Sequence, residues 1–110
     1  MARVLMARFD IYDNPGRNKA TIPYLVEVQS NVISGLATRI VIPLRQLAGF
    51  SKVTLPPDLF PLITIDGAEL FLDTPQLGAI PSSELKVRIG SAQDYRSEIQ
   101  DALDRVFGSY

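Results

Sequence analysis

The segment PLITIDGAELFLD, residues 61–73, is the sequence feature that most constrains the fold of this chain. Two apolar runs of residues that favour strands flank the dipeptide Asp66-Gly67. This dipeptide is favoured in two-residue β-turns because it tolerates the positive φ angles that such turns require. The segment therefore predicts an antiparallel hairpin.

Three other segments have the pattern of strands. Residues 8–12 and 24–29 alternate in the period of a strand, and residues 38–44 are almost continuously apolar, which predicts a central strand. Pro43 is expected to end that strand, because proline cannot donate a hydrogen bond to a neighbouring strand. Residues 13–20 are dense in turn formers and predict a hairpin loop with an exposed basic tip.

The chain ends in a predicted amphipathic helix. Ser91 and Asp94 fit a capping motif, in which a serine begins the helix and an acid follows three residues later. Gly108 suits the position just after the last turn. A short strand is expected around residues 85–89. The apolar residues of the helix fall on one stripe, formed by Tyr95, Ile99, Ala102, Leu103, Val106 and Phe107.

The predicted fold class is mainly β with a C-terminal α-helix, arranged as a twisted antiparallel sheet or small barrel. The chain has room for one domain, residues 1–110. The triplet MAR begins at both Met1 and Met6, so residues 1–5 are either an N-terminal extension or part of a longer first strand. The sequence has no membrane-length apolar run and no signal peptide pattern, so we expect a cytoplasmic protein without a membrane partner.

The absence of cysteine and histidine argues against several kinds of catalysis. Disulfides, thiolate chemistry, ordinary zinc sites and imidazole acid–base chemistry all need one of these residues. We therefore expect no metal and no cofactor, and any catalysis would have to use carboxylates, Lys, Arg, Tyr or hydroxyl groups. Asp66, Glu69 and Asp73 are expected to scatter across the hairpin as solvated acids rather than to bind a cation. The net charge of −1 indicates no dominant basic surface for nucleic acid.

Two residue pairs allow more than one interpretation. If their strands pair, Glu27 and Arg39 meet across the sheet. The preferred interpretation is a surface ion pair that contributes little to stability. The alternative is a couple that acts on a phosphodiester, as a metal-free ribonuclease would. Val32 and Ile33 are adjacent apolar residues in a predicted turn. Either one of them packs in the core while the other is exposed, or the two form an apolar contact surface.

Several segments together resemble the CcdB toxins of toxin–antitoxin modules. In order they are YLVEVQSNVISG with RIVIPL, LFPLITIDG, IPSSEL and IQDALDRVF, and the resemblance spans residues 6–107. It implies a twisted antiparallel sheet with a small β wing and a C-terminal helix, packed as a homodimer. It also implies that the chain is not an enzyme.

The resemblance further implies particular partners. CcdB toxins bind the A subunit of DNA gyrase and trap it on cleaved DNA. A cognate CcdA-like antitoxin neutralises them through a disordered tail, and the toxin reaches operator DNA only through that antitoxin. We expect the same partners for this chain.

In that family the gyrase-facing residues are two apolar residues after the VQS strand and the end of the last helix. By the resemblance, the first pair is Val32 and Ile33. In the helix, Asp104 stands where the family has asparagine, and Phe107 matches the family's phenylalanine.

The last three residues depart from the family pattern. The family's closing Trp-Gly-Ile, which carries gyrase poisoning, is replaced here by Gly108, Ser109 and Tyr110. Tyr110 is the aromatic residue that offers a substitute, displaced by two positions. Two alternatives to gyrase poisoning therefore stay open. One is a CcdB-like dimer that only binds an antitoxin and regulates, and the other is an endoribonuclease toxin on the fold shared with the PemK and MazF toxins.

Overall fold

The computed structural model describes residues 7–31, 35–48, 50 and 54–108. Its elements are, in order, β1 (Asp10–Asp13), β2 (Tyr24–Glu27), β3 (Thr38–Gln46), β4 (Leu62–Ile65), β5 (Ala68–Leu72), β6 (Gly78–Pro81), β7 (Arg88–Ser91) and α1 (Arg96–Phe107). The predictions made for residues 1–5, Val32, Ile33, Ser109 and Tyr110 lie outside the described residues.

The strands form one curled antiparallel sheet with the order β4-β5-β3-β2-β1-β7. The long strand β3 is central, as predicted: it pairs with β2 along one edge and with both β5 and β6 along the other. The mainly β fold with a C-terminal helix is therefore confirmed.

The hairpin at the dipeptide Asp66-Gly67 is confirmed in detail. β4 and β5 pair with Ile65 opposite Ala68, which leaves only two residues in the turn. Both have positive φ angles, 51° for Asp66 and 80° for Gly67, as the turn chemistry of this dipeptide requires.

The prediction that Pro43 ends the central strand is wrong. β3 continues through this residue to Gln46, and Pro43 pairs in register with Leu25. On its other edge β3 pairs with β6 at residues 38–41 and with β5 at residues 44–46. Pro43 lies in the gap between these two partners, so the hydrogen bond that proline cannot donate is not needed there.

Two boundaries near the helix were also misplaced. The expected strand at residues 85–89 is β7, which begins three residues later and ends two residues later. β6 was missed because its mostly exposed residues carry no apolar alternation. The helix begins at Arg96 rather than after Ser91. Ser91 is the last residue of β7, and its hydroxyl accepts a hydrogen bond from Gln93 N (3.1 Å), at the start of a 3-10 turn that precedes α1.

The two faces of the sheet bury different side chains. Strand alternation places Val26, Val28, Ile42 and Leu44 on the face that α1 covers. The helix contributes its buried residues Ile99, Ala102 and Leu103 to that side. The opposite face holds a smaller apolar cluster formed by Tyr12, Ile22, Leu25, Val41 and Leu85.

In the part of the chain that the structure describes, no helix has the length and apolar character needed to cross a membrane.

Candidate functional site

The end of α1 is held in place by the core while its tip is exposed. Ile99, Ala102 and Leu103 are buried, and Ile99 and Leu103 belong to the same core cluster as the strand residues. Gly108 ends the helix in the left-handed conformation, with φ 70° and ψ 39°, and its N–H donates to Asp104 O. Glycine adopts this conformation without the steric cost that other residues have. The sequence correctly predicted Gly108 at this position.

Phe107 projects from this tip with 67% of its surface exposed. The sequence left open whether this ring packs inward or faces a partner, and in the isolated chain it does not pack inward. Because burying an aromatic side chain is strongly favourable, an exposed one at the end of an anchored helix is a candidate contact point for a partner. Asp104, one turn earlier, is half-buried and accepts a hydrogen bond from Gln100 Nε2 (3.3 Å).

A polar link that the sequence did not indicate joins this helix to the start of the sheet. Arg8 Nη2 donates to Gln100 Oε1 (2.7 Å), and Arg8 Nε donates to Val28 O (3.1 Å). The backbone N of Arg8 donates to Asn31 Oδ1 (2.8 Å). Since Arg8 and Gln100 are 92 residues apart in the chain, no local sequence pattern could have revealed their contact.

Glu27 and Arg39 do meet across β2 and β3, as the sequence suggested. Glu27 pairs in register with Val41, so Arg39 lies two residues away on the same face of the sheet. Arg39 Nη2 donates to Glu27 Oε2. The expectation of a surface pair is wrong, however, because both side chains are completely buried.

Burial dominates the electrostatics of this pair. It raises the pKa of the Glu27 carboxyl, and the positive charge of Arg39 opposes the rise only in part. Within the described residues, Glu27 Oε1 has no hydrogen-bond partner, which adds to the cost of removing the carboxylate from water. A phosphodiester has no access to either side chain in the isolated chain.

Two further polar residues lie near the pair. Asp10 is buried and forms an ion pair with the exposed Arg88, with 3.1 Å between Asp10 Oδ1 and Arg88 Nε. Tyr12, two residues after Asp10 in β1, is also buried. Desolvation raises the pKa of its hydroxyl to about 12. The negative charges of Asp10 and Glu27 act in the same direction.

An open cleft of about 300 Å³ also lies on the face of the sheet opposite α1. Its walls are mainly apolar, with Ile22, Leu25, Val41 and Ile80 beside the loop at residues 14–18. Neither Glu27 nor Arg39 lines it. The cleft therefore offers shape and apolar surface but does not expose the charged couple.

The hairpin acids remain dispersed. Asp66 and Glu69 are exposed, whereas Asp73 pairs with Arg45, with 2.7 Å between Asp73 Oδ2 and Arg45 Nε. In the described part of the chain, no group of three His, Cys, Asp or Glu side chains is placed to hold a metal ion.

The family of the chain follows from a match over nearly its whole length. The family described as CcdB protein matches residues 8–108, so the chain belongs to the CcdB family. No curated protein matches the sequence.

One solved structure with a similar fold is described as an endoribonuclease in complex with its cognate antitoxin from a mycobacterial species. It shares 12% sequence identity with this chain at a TM-score of 0.72, over 94% of this chain and 95% of that one. At this identity the likeness establishes the fold. Together, the family and this neighbour support a toxin of a toxin–antitoxin module.

We expect Arg39→Ala to destabilise the protein strongly, by about 3–5 kcal/mol, because it leaves the Glu27 carboxyl buried without its cation. The double change Glu27→Leu with Arg39→Met should recover most of this loss, since neither charge is then buried. Urea denaturation measures both effects.

Arg45→Ala is the matched control for that experiment, since Arg45 lies on the same strand in an ion pair with partly exposed side chains. This control should cost about 1 kcal/mol or less. Equal losses for Arg39→Ala and Arg45→Ala would show that burial does not govern the Glu27–Arg39 pair.

The raised pKa of Tyr12 predicts a stability loss at alkaline pH. A tyrosine whose folded pKa is about 12, against the ordinary value of 10.0, stabilises the fold below pH 10 and loses that contribution as pH rises through 12. Between these values, the free energy of unfolding should fall by roughly 2 kcal/mol more in the wild type than in Tyr12→Phe. Denaturation at a series of pH values measures the difference, and parallel curves for the two proteins would contradict the prediction.

Proposed function

We propose that this protein is a toxin that acts by binding the A subunit of DNA gyrase, with the exposed ring of Phe107 at the centre of the contact. Membership of the CcdB family supports the target. The observation that carries the proposal is the 67% exposure of Phe107 at the tip of a helix anchored by its buried stripe. Aromatic side chains that enter a partner's pocket contribute most of the energy in many interfaces.

The remaining contact residues follow the family pattern. We propose a contact surface with two parts. The first part, at the end of α1, holds Phe107 with Asp104 beside it, and the second part holds Val32 and Ile33. Gly108, Ser109 and Tyr110 stand in place of the family's closing Trp-Gly-Ile. In this proposal Tyr110 supplies the second aromatic ring.

The toxin would be restrained by an antitoxin. The structural neighbour is described in complex with its cognate antitoxin, which supports the same kind of partner for this chain. The net charge of this chain, −1, gives little attraction for DNA. We therefore propose that the toxin reaches operator DNA only through the antitoxin. The proposed target places the protein in the cytoplasm.

Phe107→Ala should weaken binding to the gyrase A subunit by about thirtyfold or more, the loss expected when an aromatic anchor is removed. It should leave the fold intact, because the ring is not part of the core. Isothermal titration with the purified A subunit, a supercoiling assay and a growth assay measure the effect. Phe50→Ala is the matched control, since Phe50 is also aromatic and 48% exposed but contacts Phe71 rather than the helix end.

The same experiment separates gyrase binding from the alternatives. The ribonuclease alternative has the described fold neighbour in its favour and the complete burial of Glu27 and Arg39 against it. Cleavage of total RNA by the purified protein, without gyrase binding, would contradict the proposal. Tight antitoxin binding with normal growth and no gyrase binding would instead indicate a regulatory member of the family.

We also propose that the protein is a homodimer that pairs through β7. This strand is at one end of the sheet, and within the described residues its outer edge has no partner strand. Val87, which directly precedes this strand, and Ile89 within it are exposed by 54% and 41%. An apolar edge of this kind is a template for pairing with a second copy.

Ile89→Asp should therefore produce a folded monomer in sedimentation measurements at concentrations where the wild type is a dimer. Leu36→Asp, at an apolar position exposed by 55%, is the control and should remain dimeric. A wild-type monomer, or a dimer that persists in Ile89→Asp, would exclude this interface.

A further inference from the structure

We infer that Arg8 and Gln100 are positioning residues that hold Asn31 and Asp104 in a fixed relation to each other, and these two residues adjoin or belong to the proposed contact surface. The inference rests on the proposed function, because it concerns the preparation of that surface for its target. Neither residue is among those that the family pattern assigns to the contact.

The side chain of Arg8 connects a strand end to the helix. Its guanidinium donates through Nε to Val28 O (3.1 Å) and through Nη2 to Gln100 Oε1 (2.7 Å). Because the guanidinium is planar and rigid, two hydrogen bonds from one group fix the separation of the groups that accept them. Arg8 thus ties the end of the β2 segment to the middle of α1.

The connection extends to both predicted contact segments. At one end, Arg8 N donates to Asn31 Oδ1 (2.8 Å), and Asn31 directly precedes Val32 in the sequence. At the other end, Gln100 Nε2 donates to Asp104 Oδ1 (3.3 Å), one turn before Phe107. We call this chain of hydrogen bonds from Asn31 through Arg8 and Gln100 to Asp104 the Arg8 bridge.

The base of the Arg8 bridge is itself held firmly. The neighbouring residue Phe9 has a φ angle of 74°, which an aromatic residue keeps only where the surroundings impose it. Phe9 N donates to Glu27 O (2.7 Å), and Phe9 O accepts from Ala92 N (2.7 Å). The Arg8 guanidinium lies 4.7 Å from the centre of the Phe9 ring, a distance at which cation and ring attract.

The bridge adds little to the core that stabilises the fold. Arg8 and Gln100 are half-buried, whereas the helix is fixed to the sheet by Ile99 and Leu103. Removing the Gln100 amide leaves that core intact. Its main effect should be on the relation between the two ends of the Arg8 bridge.

Gln100→Ala tests this inference through three measurements: urea unfolding, amide hydrogen exchange, and titration with the gyrase A subunit. We expect faster exchange both at residues 28–31 and at residues 104–108, and about tenfold weaker binding, with the unfolding midpoint nearly unchanged. Gln93→Ala is the control, because Gln93 is an exposed glutamine in the turn just before α1, and it should change none of the three.

A second variant separates positioning from direct contact. Arg8→Ala removes the side-chain bonds to Val28 and Gln100 but keeps the backbone bond to Asn31. If the two residues act as one unit, the double change Arg8→Ala with Gln100→Ala weakens binding no more than the stronger single change. Additive losses would overturn the inference, as would weaker binding with unchanged hydrogen exchange.

The exchange measurement uses the free protein, so it does not depend on the target. Coupled changes at residues 28–31 and 104–108 support the Arg8 bridge even if the wild type fails to bind the gyrase A subunit. That failure would refute the proposed function alone. Unchanged exchange in both variants, with gyrase binding retained by the wild type, would refute the bridge alone.

Discussion

The packing of α1 against the sheet is the interaction on which the rest of this structure depends. Ile99 and Leu103 close the main core, which otherwise consists mainly of side chains from one face of the strands. The position of the helix tip follows from this contact, because the buried stripe ends before Phe107 and Gly108 stops the helix one residue later. The buried stripe of α1 therefore completes the core, and the helix end just beyond it exposes an aromatic ring to solvent.

The two faces of the sheet bear on whether this chain shares the activity of its fold neighbour. The chain shares its fold with an endoribonuclease, yet its Glu27–Arg39 couple is completely buried beside the apolar cluster around Leu85. An ionic pair in such a place contributes to the architecture of the strands and has no access to substrate. The exposed apolar residues that the proposed binding function uses lie instead at the helix end and at the β7 edge.

Local features were predictable from sequence, whereas features that depend on distant segments were not. The Asp66-Gly67 turn and the apolar stripe of α1 need only neighbouring residues. The turn was predicted correctly, and so was the part of the stripe formed by Ile99, Ala102 and Leu103. The continuation of β3 through Pro43 was missed because it depends on where β5 and β6 pair, and β6 itself has no apolar alternation. The burial of Glu27 and Arg39 and the link from Arg8 to Gln100 are likewise tertiary effects, since each joins residues whose surroundings the local sequence does not define.

The central claim is that the end of α1 contacts the gyrase A subunit, and site-specific photo-crosslinking tests it most directly. A photoreactive phenylalanine analogue at position 107, in an otherwise wild-type chain, should crosslink to the A subunit in a mixture of both gyrase subunits. The same analogue at position 50 should not, although Phe50 is about half exposed as well. Crosslinking from position 50 but not from position 107, or from neither position, would contradict this account of the protein.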